Sequence, residues 1–260
     1  VDIEWFNRLV LEGLYLEDED GKVMFEANHV AAGFEIMPLL EGKFVFTTVR
    51  LFGFSFNLRK HTPESPLNLQ FVIDAFASKD SIKKEKNIDL RFNSIMIRRG
   101  NFSYNVDSEK ETPGKFNAKH IDIKNLSAKI SLKAFNKDSV NAHIKKMSFD
   151  EASGFSLNKL SLNVVGNRDS AFVQDLEVRL PQTDLKIGRA RIDLSEIDSL
   201  PALLNNAPID LNITPSQICL KDLSPFAPAF KNFADTIELS AEANGYINNF
   251  NLKRLTLKYS

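Results

Sequence analysis

The chain has 260 residues, of which 43% are hydrophobic, and 33 Lys and Arg oppose 34 Asp and Glu for a formal net charge of −1. Nucleic-acid binding normally needs a basic stripe, and this balance gives no electrostatic case for it. The length suits one large all-β unit or two smaller ones, and Phe supplies 21 of the 26 aromatic residues, a choice that favours dry surfaces because Phe has no polar group needing a partner.

Taken in chain order, residues 1–36 alternate as strands joined by a turn at Glu17 to Lys22. The acidic cluster before Gly21 lacks the ligand order and distal Glu of a calcium loop, so it reads as a solvated hairpin turn. Residues 61–68 form a Pro-containing loop and residues 71–77, FVIDAFA, one short helix. These close an amino-terminal β segment, 1–77. SKDSIKKEKN, residues 78–87, is a charged linker, and residues 88–260 read as a repetitive β segment continuing the same sheet. Within the latter, SLPALLNNAP and DLSPFAPAFKNFA are two short helices or turns broken by Pro. Turn chemistry also marks Asp20-Gly21, Gly166 to Asp169, and Asn244-Gly245.

One template recurs among the strands: apolar residues at i and i+2, a polar pair, then apolar residues at i+5 and i+7. It begins at Phe25, Phe44, Leu90, Ile121, Ala142, Phe155, Ala171, Leu185 and Phe250. Nine copies exceed the roughly three that chance gives at this hydrophobic content, and their irregular spacing argues against a fixed-period solenoid. In an unbroken strand the three-residue step across the polar pair moves the apolar set to the other face. A β-bulge at each pair cancels the step and bends the strand, so that both halves line one interior of a long, bent antiparallel sheet. The alternative is a corner strand passing between the two sheets of a β-sandwich. A transmembrane barrel fits poorly, because the slips turn polar residues toward lipid and almost no Trp or Tyr is present for interfacial girdles.

No catalytic constellation emerges, and enzymatic activity is not expected. Cys219 is the only cysteine and reads as a small buried hydrophobe; His29, His61, His120 and His143 are scattered; Glu26 and His29 fall on opposite strand faces. No metal or organic cofactor is expected. No stretch of about 20 apolar residues spans a bilayer. The chain begins at Val1 and ends straight after a strand-like run, which reads as an excerpt of a longer protein.

FVFTTVRLFGFSFNLRKHTPESPLNLQFVIDAFASKD, IDLRFNSIMIRRGNFSYN and FNAKHIDIKNLSAKISL resemble the amino-terminal half of the TamB and AsmA-like envelope proteins. DLSPFAPAFKNFADTIELSAEANGYINNFNLKRLTLKYS is similar to a segment recurring in that family, a short Pro-containing helix before two strands joined by a Gly turn. The family's membrane anchor and carboxy-terminal domain are missing here. The resemblance implies a periplasmic protein whose parent is anchored in the inner membrane. It implies an apolar groove that carries phospholipid acyl chains and a link to outer-membrane assembly proteins. The competing expectation is a non-conducting β-scaffold that binds outer-membrane protein strands. From the density of Phe, the expected groove lining is Phe44, Phe46, Val49, Leu51, Phe54, Phe56, Phe92, Ile95, Ile97, Phe102 and Tyr104.

Overall fold

The computed structural model describes residues 2–4, 7–37, 44–76, 90–135, 139–194, 207–246 and 249–259. Among the described residues, thirteen strands form a single sheet in which spatial order equals chain order. They are β1 (Asp2–Glu4), β2 (Arg8–Glu17), β3 (Val23–Phe34), β4 (Phe44–Lys60), β5 (Leu90–Val106), β6 (His120–Phe135) and β7 (Ser139–Glu151). There follow β8 (Ser156–Asn167), β9 (Ser170–Arg179), β10 (Asp184–Asp193), β11 (Pro208–Cys219), β12 (Thr236–Tyr246) and β13 (Asn249–Tyr259). The helix expected at 71–77 is α1 (Gln70–Phe76). Of the two Pro-broken segments, the second forms 3-10 turns at Leu220–Leu223 and Pro228–Asn232, and most of the first lies outside the described residues, as does the linker 78–87.

Two of the expected turns follow from Asx chemistry. Asp18 Oδ1 accepts hydrogen bonds from the backbone N–H groups of Asp20 (3.1 Å) and Lys22 (2.9 Å), and Gly21 takes φ +73° between β2 and β3. Asn167 Oδ1 accepts from Asp169 N and Ser170 N, both at 2.9 Å, between β8 and β9. The third is displaced. Asn244 and Gly245 still pair with Asn251 and Phe250, so they belong to the end of β12 and the chain reverses after Tyr246.

Every neighbouring pair is antiparallel except β4 and β5, which run parallel from Phe44↔Leu90 to Lys60↔Val106. The sheet is therefore mixed rather than wholly antiparallel. Parallel neighbours need a long crossover, and the chain from residue 61 to 89, including α1, supplies it. All thirteen strands lie in one sheet, so no strand divides its halves between two sheets and the sandwich alternative fails.

The polar pairs are bulges in eight of the nine template copies. At Asn158-Lys159, Met147 opposes Leu160 and Phe149 opposes Leu157, which leaves two residues of β8 facing Ser148 alone. Equivalent register shifts accompany Thr47-Thr48, Asn93-Ser94, Lys124-Asn125 and Lys145-Lys146. Gln174-Asp175, Gly188-Arg189 and Lys253-Arg254 complete the set. Asn125 (φ +58°) and Asp175 (φ +52°) take the left-handed conformation that Asn and Asp tolerate better than most residues.

The ninth pair, Asn28-His29, shows no shift against either neighbour. Its neighbours step with it. Gly13 of β2 stands level with Asn28, Asn28 with Gly53 of β4, and Gly53 with Arg99 of β5, the last three registers lying between matched pairs on each side. Gly13, Gly53 and Arg99 have φ of +63°, +58° and +52°. Four adjacent strands thus share one crease, and their mutual register survives because each makes the same extra step. The shift surfaces only at the next strand, where Arg98 and Arg99 face Ser127 of β6.

Candidate apolar face

Residues opposite one another in neighbouring strands share a face, so the register can be followed across the sheet. One row runs from Phe34 through Phe46, Phe92, Leu132, Ala142, Val164, Val173, Ala190, Leu211 and Ala243 to Leu252, from β3 to β13. A second links Leu11, Val30, Leu51, Ile97, Ala128, Met147, Leu160, Val178 and Leu185, from β2 to β10. Between them lies a third, Leu9, Ala32, Val49, Ile95, Ile130, Ile144 and Leu162. No row contains a polar residue. The bulges keep the rows on one face while His143, Lys145 and Lys146 are exposed on the other.

Among the described residues, little covers this face. Few hydrophobic residues among those described are buried, chiefly Met24, Phe54, Val106, Leu157, Leu180, Cys219 and several alanines; most of the rows are half-buried. The chain exposes 17049 Å², against about 11,500 Å² for a compact monomer of its mass. A second layer would have buried these side chains.

Of the expected lining, the structure pairs Phe46 with Phe92, whose rings stack at 5.0 Å and 8°, Val49 with Ile95, Leu51 with Ile97, and Phe56 with Phe102 at 6.2 Å. Phe54 lies over Gly100, where an added Cβ would meet its Cε1 at 2.4 Å, and it stacks on Phe25 at 6.1 Å. Tyr104 opposes Leu58. Phe44 pairs with Leu90 through the backbone, and its side chain lies outside the described residues. The Phe-dense pair of strands is only part of the face: β6 to β10 continue it with Leu, Ile, Val, Met and Ala. The template itself marked those strands, and density of Phe alone did not.

At the end of the sheet that carries the β7–β8 turn, Phe226 meets Phe155 at 5.0 Å and Phe116 at 4.9 Å, while Phe116 N donates to Pro225 O at 2.8 Å. The β5–β6 loop, the β7–β8 turn and the β11–β12 segment are tied together there. Cys219 is fully buried beside this segment, its Sγ 3.5 Å from the Ala234 carbonyl oxygen.

The opposite face is mostly polar, apart from residues such as Phe52, Val165 and Phe172, and carries cross-strand hydrogen bonds at the bulges. Asn125 donates to Asp150 at 3.0 Å, Asn163 to Asp175 at 3.2 Å, and Lys159 to Glu177. The Lys159 hydrogen bond is the chief reason the Glu177 carboxyl sits below its ordinary value, despite the opposing effect of its burial. The polar pairs therefore contribute partners as well as length. His29 lies 3.9 Å from Glu12, on a neighbouring strand, rather than meeting Glu26.

The acidic turn before Gly21 is a structural anchor. The Asp18 side chain is 3% exposed and accepts from Arg59 (3.1 Å) and Asn68 (3.1 Å) as well as its own turn. Burial raises its pKa, but the hydrogen bonds from Asn68 and Lys22 N and the Arg59 charge outweigh this and hold it below the ordinary value. With a depressed folded-state pKa, its contribution is complete above the ordinary carboxylate range and is lost as the pH falls through the depressed value. Asp18→Asn is expected to destabilise the chain by about 1–3 kcal/mol at neutral pH, and the deficit to narrow on acidification. Urea denaturation of both proteins at neutral and acid pH measures it.

Among the described residues no group of three or more His, Cys, Asp or Glu is placed to hold a metal ion, and no helix is long and apolar enough to cross a membrane. The fold and its face define an open, single-sheet β-protein with an uncovered apolar surface. No family model, curated protein or solved structure matches the chain.

Proposed function

We propose that the chain is a segment of a periplasmic bridge of the TamB and AsmA-like kind, whose parent is anchored in the inner membrane. In this reading it carries phospholipid acyl chains along the apolar face toward the outer membrane and supports outer-membrane biogenesis. The observation that carries the proposal is the set of three uninterrupted apolar rows, open to solvent, of which two span nine strands or more. The mechanism is passive. An acyl chain gains about 0.8 kcal/mol per methylene removed from water, while its headgroup stays at the wet rim. Rows of near-uniform apolar character present no deep trap along the path, so the chain slides, and no bond chemistry is asked of any residue.

The test is site-specific photo-crosslinking from Ile97 and Leu132 on the apolar rows, with exposed Lys145 on the polar face as the control, in cells that make phospholipid. Lipid adducts at the first two positions and not at the third are expected. Equal labelling, or none from the folded chain, would favour the scaffold that binds outer-membrane protein strands, and adducts to such proteins would identify it.

A further inference from the structure

The connection between β5 and β6, residues 107–119, is longer than the turns 18–22, 152–155 and 180–183 at the same end of the sheet. Its ends are pinned together: Val106 N donates to Lys119 O (2.9 Å), Asn117 Nδ2 donates to Lys110 O (3.0 Å), and His120 Nε2 lies 3.0 Å from Glu109 O. Long loops closed on themselves in this way are frequently functional. Hydrophobic burial does not account for the course of this one. Its one large apolar side chain, Phe116, packs on Phe226, while the loop itself overhangs the polar face.

Beneath it lies a cleft of about 680 Å³, in the size range of small-molecule sites. Two polar rows form the floor: Glu26, Ser55 and Asn101 on β3, β4 and β5, and Asn57, Ser103 and Asp122 on β4, β5 and β6. The second row is fixed from within, because Ser103 Oγ donates to Asn57 Oδ1 (2.8 Å) and Asn57 Nδ2 donates to Val23 O (3.1 Å). Glu151, 7% exposed, forms one wall, its carboxylate accepting from Ser153 N at 2.8 Å. The side chains of Ser55 and Asn101 hydrogen-bond to no other described residue and are left to the cleft.

The lining restricts the chemistry of an occupant. Glu26, Glu111, Asp122 and Glu151 outnumber Lys115 and Lys124, so phosphates and other anions are disfavoured. Strands β3 to β6 are each paired on both sides, so no strand edge is offered to a peptide. The amide, hydroxyl and carboxylate groups that remain suit a ligand rich in hydroxyls, each of which both donates and accepts. We propose that this cleft is a binding site for a neutral glycan, with Ser55 and Asn101 contacting its hydroxyl groups and the 107–119 loop roofing it.

The probes are cellotetraose, maltotetraose and chitotetraose, with tetragalacturonate as the anionic counterpart, each titrated calorimetrically into the 260-residue chain. Saturable binding of at least one neutral tetrasaccharide is expected, with tetragalacturonate at least tenfold weaker. Combining Ser55→Ala with Asn101→Ala should weaken the neutral ligand about tenfold and leave the circular dichroism spectrum unchanged, whereas Lys145→Ala, on the same face outside the cleft, should leave the affinity as it was. The cleft lies on the face opposite the apolar rows, so lipid labelling at Ile97 is independent of these results. No binding of any neutral probe to the folded chain, equal affinity for tetragalacturonate, or binding untouched by the double substitution would overturn the proposal.

Discussion

Deleting Asn158 is expected to cost several kcal/mol, whereas Asn158→Ser is expected to cost no more than about 0.5 kcal/mol. Asn158 and Lys159 together oppose Ser148, and the extra residue keeps Leu157 and Leu160 on the same face. Removing one residue restores plain alternation and sends one half of β8 to the wrong side. If the second half holds its register against β7 and β9, Leu157, 7% exposed, and Phe155, packed against Phe226, are turned out. Each fully buried apolar side chain exposed costs about 1.5–3 kcal/mol. Asn158 is the better position for this comparison than Lys159, whose ammonium group binds Glu177 and whose replacement would also remove that pair. Paired urea denaturation curves make the measurement. Equal stability of the two variants would show that β8 does not need the bulge.

Phe54→Ala is expected to destabilise the protein by about 3–5 kcal/mol. The ring is 6% exposed, stacks on Phe25 and covers Gly100, so truncation opens a hole that the flat backbone of β5 cannot fill. Gly100→Ala in the otherwise unchanged chain pushes a methyl group into the Phe54 ring and should cost about 1–3 kcal/mol. In the Phe54→Ala background the same methyl group enters vacated space and should cost little. The double-mutant cycle therefore predicts strong coupling, with the pair less destabilised than the sum of the singles. Additive effects would mean that the two residues do not share a packing site.

The strand template was readable because it records a geometric necessity: a three-residue apolar step is compatible with one face only if a residue is looped out. Much less readable was the crease through β2 to β5. Leu9 and Leu11 step to Leu14 and Leu16 across Glu12-Gly13, and Val49 and Leu51 step to Phe54 and Phe56 across Phe52-Gly53. The run from Leu9 fits the template as the Gly188-Arg189 copy does, whereas the run from Val49 departs from it because apolar Phe52 stands in the pair. The parallel joint between β4 and β5 was invisible for another reason. Alternation fixes which face a residue occupies and carries no information on strand direction, which depends on the length and course of the connection. Asp18 looks solvated in the sequence because its partners, Arg59 and Asn68, lie about forty and fifty positions away and meet it only through the β3–β4 pairing. The expected lining at 44–104 rests on the density of Phe, which marks where aromatic rings concentrate and leaves the aliphatic continuation across β6 to β10 unmarked.

The parallel joint also divides the order in which the molecule assembles. From β1 to β4 and again from β5 to β13, each strand pairs with the one just made, so those contacts form between chain segments that never drift far apart. The β4–β5 ladder is different, because its two strands meet only after the connection from 61 to 89 closes as a loop. Two meanders that zip locally and then seal along one long seam form a nascent chain with an unsealed edge in each half. The seam sits where Phe46 stacks on Phe92 and Phe56 meets Phe102, so aromatic contacts line the joint that closes the sheet. Lengthening the connection raises the entropic cost of that closure only logarithmically, so insertions there are expected to cost less than insertions in the tight turns between Glu17 and Val23 or Asn167 and Ser170.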